Sequence, residues 1–283
     1  MSEVLAPVRH RVALVGAAIG GSLSPALHER EAAALGLDYT YTLLDLETLP
    51  PEWTLRDAVG ITGFNVTHPA KQAVIPQLDD LSPDARALGA VNTVTVDGSR
   101  LIGHNTDHSG FLAGLRHGLP GARLGRVIVV GAGGAGSAVA YALAGAGAAV
   151  GIADPDHDRL DALLARLRGR FRDISAVDHV EDALSDADGI VNATPIGMTG
   201  HPGMPFDPGA LSSRHWVAEV VYRPLATQLL LAARTAGCRA LDGGAMLVAQ
   251  AAETLSVLTG ATPDLGRMRA HLGELTTKDS AHD

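Results

Sequence analysis

The chain has a single cysteine, Cys238, among 283 residues. An internal disulfide and a thiolate zinc cluster are therefore excluded, and a reducing compartment suits it. Aromatic residues amount to only 4%, which points away from base-stacking platforms. Bases are also scarce: 22 Lys and Arg stand against 31 Asp and Glu, for a net charge of −9. Such a balance excludes the basic footprint that a nucleic-acid binder needs to neutralise phosphates. Met1 to Arg11 contains no apolar core of signal-peptide length, and neither an internal repeat nor a low-complexity tract is visible. These absences predict a soluble, cytoplasmic protein.

One stretch imitates a membrane span, because Val127 to Ala153 carries no charged residue. Its internal order says otherwise. A β-branched run, Val127–Val130, leads into the glycine-rich Gly131–Gly136, then the alanine-rich Ser137–Ala146, then a second short apolar run, Ala149–Ala153. A strand, turn, helix and strand buried in a parallel sheet have this pattern, so no membrane partner is predicted.

What is abundant is apolar residue and glycine: 46% hydrophobic and 33 glycines, with a mean hydropathy of +0.15. At ~150 residues per domain the length suits about two domains with sizeable cores. Strand-like runs at Val12–Val15, Tyr39–Leu44, Ile61–Val66 and Thr93–Val96 alternate with helix-like runs at Pro25–Leu35 and Pro83–Leu88. A connecting helix is expected over Asp107–Arg116. A second alternating series follows, at Val127–Val130, Val150–Ala153, Ile190–Ala193 and Val217–Val221. Helices are expected at Ala245–Leu258 and Leu265–Leu275, no strand after Ala240, and a frayed polar tail at Thr276–Asp283. The pattern is α/β.

Gly131-Ala132-Gly133-Gly134-Ala135-Gly136 fits G-x-G-x-x-G, follows an apolar strand and opens a helix. Glycines there permit a tight turn and let backbone N–H groups approach a pyrophosphate, which the helix N-terminus also favours. Asp154, closing the next strand, is placed to accept hydrogen bonds from ribose hydroxyls and to repel a 2′-phosphate. The plain alternative for Asp154 is a turn that caps the helix beginning near Pro155. Arg166, Arg168, Arg170 and Arg172 lie a helix length further on and are expected to be a solvated surface.

Upstream, several turns are unusually polar. Ser22 and Ser24 stand on alternate positions before a helix, as a carboxylate cradle or, for Ser24, as an N-cap followed by Pro25. Asn65, Thr67 and Lys71 place an amide, a hydroxyl and an ammonium at one strand end, and Asn92-Thr93 and Asn105-Thr106-Asp107 complete the set. His104, Asp107 and His108 have helical spacing, but no further ligand group accompanies them, so no metal site is expected.

Together these segments resemble the shikimate/quinate dehydrogenase family. The resemblance is carried by Ser22–His28, Asn65–Lys71, Gly89–Val94, Gly103–Asp107, Asn192–Met198, Tyr222–Thr227 and Gly243 with Met246–Ala252, in order over nearly the whole chain. It implies a substrate domain of residues 1–106 and 241–283 with an inserted Rossmann-type NAD-binding domain at 107–240, and an active site in the cleft separating them. It also implies that Ser22 and Ser24 hold the substrate carboxylate. Thr67, Asn92 and Gln250, with Lys71 and Asp107, would hold ring hydroxyls, and Tyr222 is a further substrate-binding candidate. Lys71 and Asp107 form the implied catalytic pair. A lysine amine can take the hydroxyl proton in oxidation and return it in reduction. Asp107 would orient that amine and relay the proton.

For the cofactor, the resemblance implies Gly131, Gly133, Gly134, Ala135, Gly136, Asp154, Arg159 and Thr194, with Val220, Gly243 and Met246 on the nicotinamide side. NADP-using members carry Asn-Arg-Thr after the second cofactor-domain strand, whereas this chain has Asp154-Pro155-Asp156. That resembles the NAD-using quinate/shikimate branch. Ser24 matches shikimate-specific members. The expected activity is NAD-dependent interconversion of shikimate and 3-dehydroshikimate, with quinate and 3-dehydroquinate as a second pair. Alternatives are an NADP-dependent biosynthetic shikimate dehydrogenase, a paralogue acting on an amino-cyclitol acid, and a non-catalytic nucleotide-binding module. A homodimer, and the choice between aromatic biosynthesis and quinate breakdown, are left open by the sequence.

Overall fold

The computed structural model describes residues 8–279. The expected tail residues 280–283 and the first seven residues lie outside them. The chain divides into two compact units, residues 1–106 with 251–275, and residues 107–250 with 276–283.

The first unit contains strands β1 (Arg9–Gly16), β2 (Asp38–Asp45), β3 (Gly63–Val66), β4 (Asp80–Leu81), β5 (Thr93–Asp97) and β6 (Arg100–His104). Helices α1 (Ser24–Ala34), α2 (Ala70–Ala73) and α3 (Pro83–Leu88) lie among them. The six strands form one sheet in the order β2-β1-β3-β5-β6-β4. β1 pairs in parallel with β2 and β3, and β5 is antiparallel to both β3 and β6. Accordingly the carboxyl ends of β1, β3 and β6 and the amino end of β5 share one edge of the sheet. The core beneath includes Ala13, Val15, Phe64, Val66, Val91, Val94 and Leu101.

The second unit opens with α4 (Asp107–Gly118) and continues through β7 (Arg126–Val130), α5 (Gly134–Gly145), β8 (Ala149–Ala153), α6 (His157–Arg168), β9 (Ile174–Ala176), α7 (Val180–Ala183), β10 (Gly189–Asn192), β11 (Trp216–Glu219), α8 (Gln228–Thr235) and β12 (Arg239–Leu241). All strand pairs are parallel, in the order β12-β11-β10-β7-β8-β9. Strands in such a sheet are covered on both faces, which explains the uninterrupted apolar runs. The membrane-like stretch resolves into β7, α5 and β8, and α5 is buried from Gly136 to Ala144. Among the described residues no helix is long and apolar enough to cross a membrane. The two-unit α/β architecture with a Rossmann-like sheet is the one expected.

Four strands escape the sequence pattern. β4 and β9 span two and three residues, too short for a periodicity, and β6 mixes Arg100, Gly103 and His104 with its apolar residues. β12 ends at Leu241, beyond the point after which no strand was expected. The last helices are α9 (Gly244–Thr259) and α10 (Leu265–Asp279). α10 runs into the segment expected to fray, because each residue added to an existing helix gains a hydrogen bond. The division into units falls within α9.

In the first unit, α10 is tied to α1 through Glu31, whose side chain is 1% exposed. Glu31 accepts Arg267 Nη2 at 2.6 Å, Arg267 Nε at 2.7 Å and the Asp264 backbone N–H at 2.7 Å. Removing the cation leaves a buried charge short of partners. Arg267→Met is expected to lower the Tm by several degrees in calorimetry, and an unchanged Tm would show the pair to be energetically neutral.

Candidate active site

In the first unit, a buried polar chain runs under the shared sheet edge. The Tyr41 hydroxyl donates to Asn65 Oδ1 at 2.7 Å and lies near the Ser24 side chain. Asn65 Nδ2 donates to the Asn92 carbonyl at 3.3 Å. Asn92 Nδ2 donates to Thr106 Oγ1 at 2.9 Å, and Asn92 Oδ1 accepts from the Thr106 N–H and the Thr93 hydroxyl. Thr254 of α9 closes the set with hydroxyl contacts to Thr93 at 3.0 Å and Thr106 at 2.9 Å. Burial at these positions demands such complete pairing. His28 packs on Tyr39 and Tyr41, and burial pushes its pKa down to about 3, so it is a neutral imidazole.

Ser24 does not cap α1. The helix includes Ser24, its cap position is Leu23, and no side chain caps it. Ser22 Oγ instead accepts the Ser24 N–H at 3.2 Å. Thr67 follows β3, with its N–H on the Val15 carbonyl. Lys71, on α2, is half-buried, and its carbonyl accepts the Val91 N–H at 2.8 Å. That bond fixes the lysine backbone beside Asn92. A close approach is needed here, since a Cβ on Gly16 would fall on the Thr67 methyl. The structure thus brings Thr67, Lys71 and Asn92 to one sheet edge, with Tyr41 bonded to Asn65 beneath it.

In the second unit, Asp107 is buried at the first turn of α4. Gln250 lies on α9 against Gly110, where any Cβ would meet its backbone. Gly243 packs on the carbonyls of Val220 and Val221, and Met246 is buried nearby in sequence. Burial raises the Tyr222 phenol, with Arg223 opposing. Among the described residues no three His, Cys, Asp or Glu converge as a metal site. His104 Nε2 contacts the Thr95 hydroxyl.

The glycine turn has the features a dinucleotide requires. Gly131 has φ 107°, a conformation glycine adopts without strain. A Cβ at Gly136 would fall on the Gly131 carbonyl oxygen, whereas the Cβ direction of Gly133 is open. α5, with Gly134 and Ala135 in its first turn, has no side-chain cap and no acidic residue there, which leaves backbone N–H groups for an anion. At the end of β8, the Asp154 side chain is 4% exposed. It accepts the Ala132 N–H at 2.6 Å, the Asp156 N–H at 2.9 Å and Arg159 Nη2 at 2.6 Å. Burial works to raise its pKa, but the bonds from Arg159, Ala132 and Asp156 prevail and hold the carboxyl below its ordinary range. Asp154 is not the helix cap. Asp156 is, accepting the Arg159 N–H. Arg166, Arg168, Arg170 and Arg172 are all exposed.

Thr93 and Thr106, which the sequence had already placed in the polar set, are bonded within it. Sequence reasoning missed Tyr41 and Thr254 as its supports, and Thr254 gave no signal. A compositional sign of Lys71 was also present: lysine occurs at only two positions, 71 and 278.

One unit with a parallel sheet, a glycine turn and an acidic strand end, and a second with a mixed sheet and a polar edge, define a two-domain dinucleotide-binding oxidoreductase. Comparison with known proteins narrows the class. The profile of the shikimate dehydrogenase substrate binding domain matches residues 14–94, and that of the alanine dehydrogenase/PNT C-terminal domain matches 95–203. A shikimate dehydrogenase (NADP(+)) of Pseudarthrobacter chlorophenolicus is 49% identical over 95% of this chain and 96% of its own. A quinate/shikimate dehydrogenase (NAD(+)) of Corynebacterium efficiens is 46% identical over 91% of this chain and 95% of its own. The solved quinate dehydrogenase from Corynebacterium glutamicum in complex with NAD superposes with a TM-score of 0.89 at 43% identity, over 94% of this chain and 99% of that one. The chain belongs to the shikimate dehydrogenase family and is an NAD(P)-dependent dehydrogenase.

Proposed function

We propose that this enzyme interconverts a secondary hydroxyl and a ketone on a cyclitol carboxylate, with NAD as cofactor. Shikimate and 3-dehydroshikimate are the first pair, quinate and 3-dehydroquinate the second. The observation that carries the reading is the polar sheet edge of Thr67, Lys71 and Asn92, with Ser22 and Ser24 on the same unit. Residues 1–106 with the C-terminal helices serve as the substrate domain, and the parallel sheet from 107 to 240 as the cofactor domain. The nicotinamide supplies the redox chemistry by accepting or returning hydride. Gly131–Gly136 hold its pyrophosphate, Asp154 its ribose hydroxyls, and Thr194, Val220, Gly243 and Met246 the nicotinamide end. Lys71 takes the proton from the substrate hydroxyl and returns it in reduction. Asp107 orients the amine and relays that proton, while Thr67, Asn92, Gln250 and Tyr222 hold the ring.

A spectrophotometric assay following NADH with shikimate and with quinate tests the reading, and no turnover with either acid overturns it. One observation favours a second cofactor: Arg159 lies folded onto Asp154, where its charge is available to a 2′-phosphate if the pair opens. In that reading NADP is used.

The serines give a separate test. Ser22→Ala and Ser24→Ala are each expected to weaken substrate binding by about 1.5–3 kcal/mol, the range for hydrogen bonds to a charged acceptor. Dinucleotide affinity should not move. A matching analogue without the carboxylate should be indifferent to both changes, and an equal loss for it would show that the serines act only on the loop before α1.

A further inference from the structure

Glu219, the last residue of β11, is 2% exposed and stands in register with Asn192 at the end of β10. Its Oε1 accepts Asn192 Nδ2 at 2.8 Å. Its Oε2 is buried without a hydrogen-bond partner, an uncommon state for a carboxyl oxygen that calls for an explanation. The dehydrogenation chemistry makes no use of this residue.

Asn192 spends the rest of its amide on the loop that follows it. Its Nδ2 also donates to the Ile196 carbonyl at 3.0 Å. Its Oδ1 accepts the Thr194 N–H at 3.0 Å and the Thr194 hydroxyl at 2.7 Å, and Thr194 Oγ1 in turn accepts the Ile196 N–H at 3.1 Å. The segment so shaped is the support of the glycine turn. A Cβ on Gly131 would meet the Ala193 carbonyl oxygen at 2.8 Å and the Thr194 methyl at 3.1 Å, and one on Gly136 would meet the Ala193 Cβ at 3.6 Å. A continuous line of contacts therefore runs from Glu219 through Asn192 and Ala193–Thr194 to the turn.

We propose that Glu219 is a positioning residue for dinucleotide binding, holding the Ala193–Thr194 segment through Asn192 in the place the glycine turn requires. The proposal rests on the dinucleotide reading of that turn.

The Asn192 amide from β10 bonds the carboxyl through Oε1, while the backbone N–H of Val221 just beyond β11 and the Thr227 hydroxyl ahead of α8 face it without a hydrogen bond to Oε2. All are donors and none is charged. Burial pushes the carboxyl up to about 7, with Asn192, Val221 and Thr227 opposing. An ionised acceptor holds a donor more strongly than a neutral one. The hold on Asn192 is consequently firm above pH 7 and relaxes as the pH falls through it.

The test is a fluorescence titration of the full chain with NADH between pH 5.5 and 8.5. In the unaltered protein the Kd should rise about fivefold on going down this range, the scale of exchanging a charge-assisted for a neutral bond. Glu219→Gln should show the weaker value at every pH. Asn192→Ala should weaken binding as well, and adding Glu219→Gln to it should change nothing more. Loss of fold cannot imitate this pattern. A carboxyl with a raised folded-state pKa loses stability as the pH climbs from about 4.5 to about 7, so Glu219→Gln should melt no lower than the unaltered protein at pH 8. Parallel pH profiles for the two proteins, or additive losses in the double variant, overturn the proposal while leaving the dinucleotide reading intact. Absence of NADH and NADPH binding in the unaltered protein overturns both.

Discussion

Replacing Lys71 with alanine is expected to lower kcat by about 10²–10⁴-fold, the usual contribution of a positioned proton-transfer group. Alcohol oxidation must dispose of the hydroxyl proton, and Lys71 is the amine the structure sets among Thr67 and Asn92. Its backbone is pinned there by the Val91 N–H, so the ammonium is delivered from a fixed point and not from a wandering surface chain. The Kd for the dinucleotide should stay within about twofold, because the glycine turn and Asp154 belong to the other unit. A pre-steady-state measurement that isolates the chemical step is the appropriate readout. Retention of more than about half of the turnover there would remove Lys71 from the chemistry. Asp107→Asn, which keeps the shape and removes the charge, should reduce kcat as well if the carboxylate orients that amine.

The unaltered enzyme is expected to prefer NAD to NADP by at least ~10²-fold in kcat/KM, equivalent to ~2.7 kcal/mol. A 2′-phosphate brings close to two negative charges, and a unit pair ~4 Å apart is worth about 4 kcal/mol at an effective dielectric of 20. Screening by solvent reduces that figure. The structure adds a condition: Asp154 is clamped by two backbone N–H groups and Arg159, so its charge is fixed in place while the arginine is half exposed at 47%. Asp154→Asn removes the repulsion and loosens Arg159 in one step, and should therefore narrow the preference sharply. Arg159→Ala should widen it by leaving the aspartate without its counter-charge. Steady-state kinetics with both cofactors checks this. Equal or better kcat/KM with NADP in the unaltered protein would transfer the assignment to the NADP-dependent reading.

The parts of the molecule most legible in the sequence were those with a strong local pattern. β7, the glycine turn, α5 and β8 followed from an apolar run, six residues of Gly and Ala, and a second apolar run, because both faces of a parallel strand are buried. α3 coincides with the helix-like run Pro83–Leu88, which Ser82 caps and Gly89 closes in the left-handed region. Local pattern fails where the determinant is a distant partner. Thr254 sits in an alanine- and leucine-rich helix with nothing nearby to mark it, yet its hydroxyl joins residues more than a hundred positions away. Glu219 is one charged position inside the run Val217–Val221, with nothing nearby in sequence to mark it, until β10 places Asn192 against it. The cap alternatives for Ser24 and Asp154 do not hold: Ser24 lies inside α1, and Asp154 is taken up by the Ala132 and Asp156 N–H groups and Arg159 while Asp156 caps α6.

The pairing of α10 with α1 bears on the order in which the chain can assemble as it leaves the ribosome. The unit begun by β1 still lacks Thr254, the Leu258 side chain that packs where Gly63 has no Cβ, and Arg267, which lies 236 residues after Glu31. Until these emerge, the Glu31 carboxylate has no counter-ion and the threonines beside Asn92 have an unfilled neighbour. The parallel sheet from β7 to β12, by contrast, has all its strands before Leu241. Synthesis at about 5–20 residues per second separates the two events by seconds. The unit that is started first is therefore finished last, and over that interval its unpaired groups are the part of the nascent chain most exposed to capture by chaperones or by other chains.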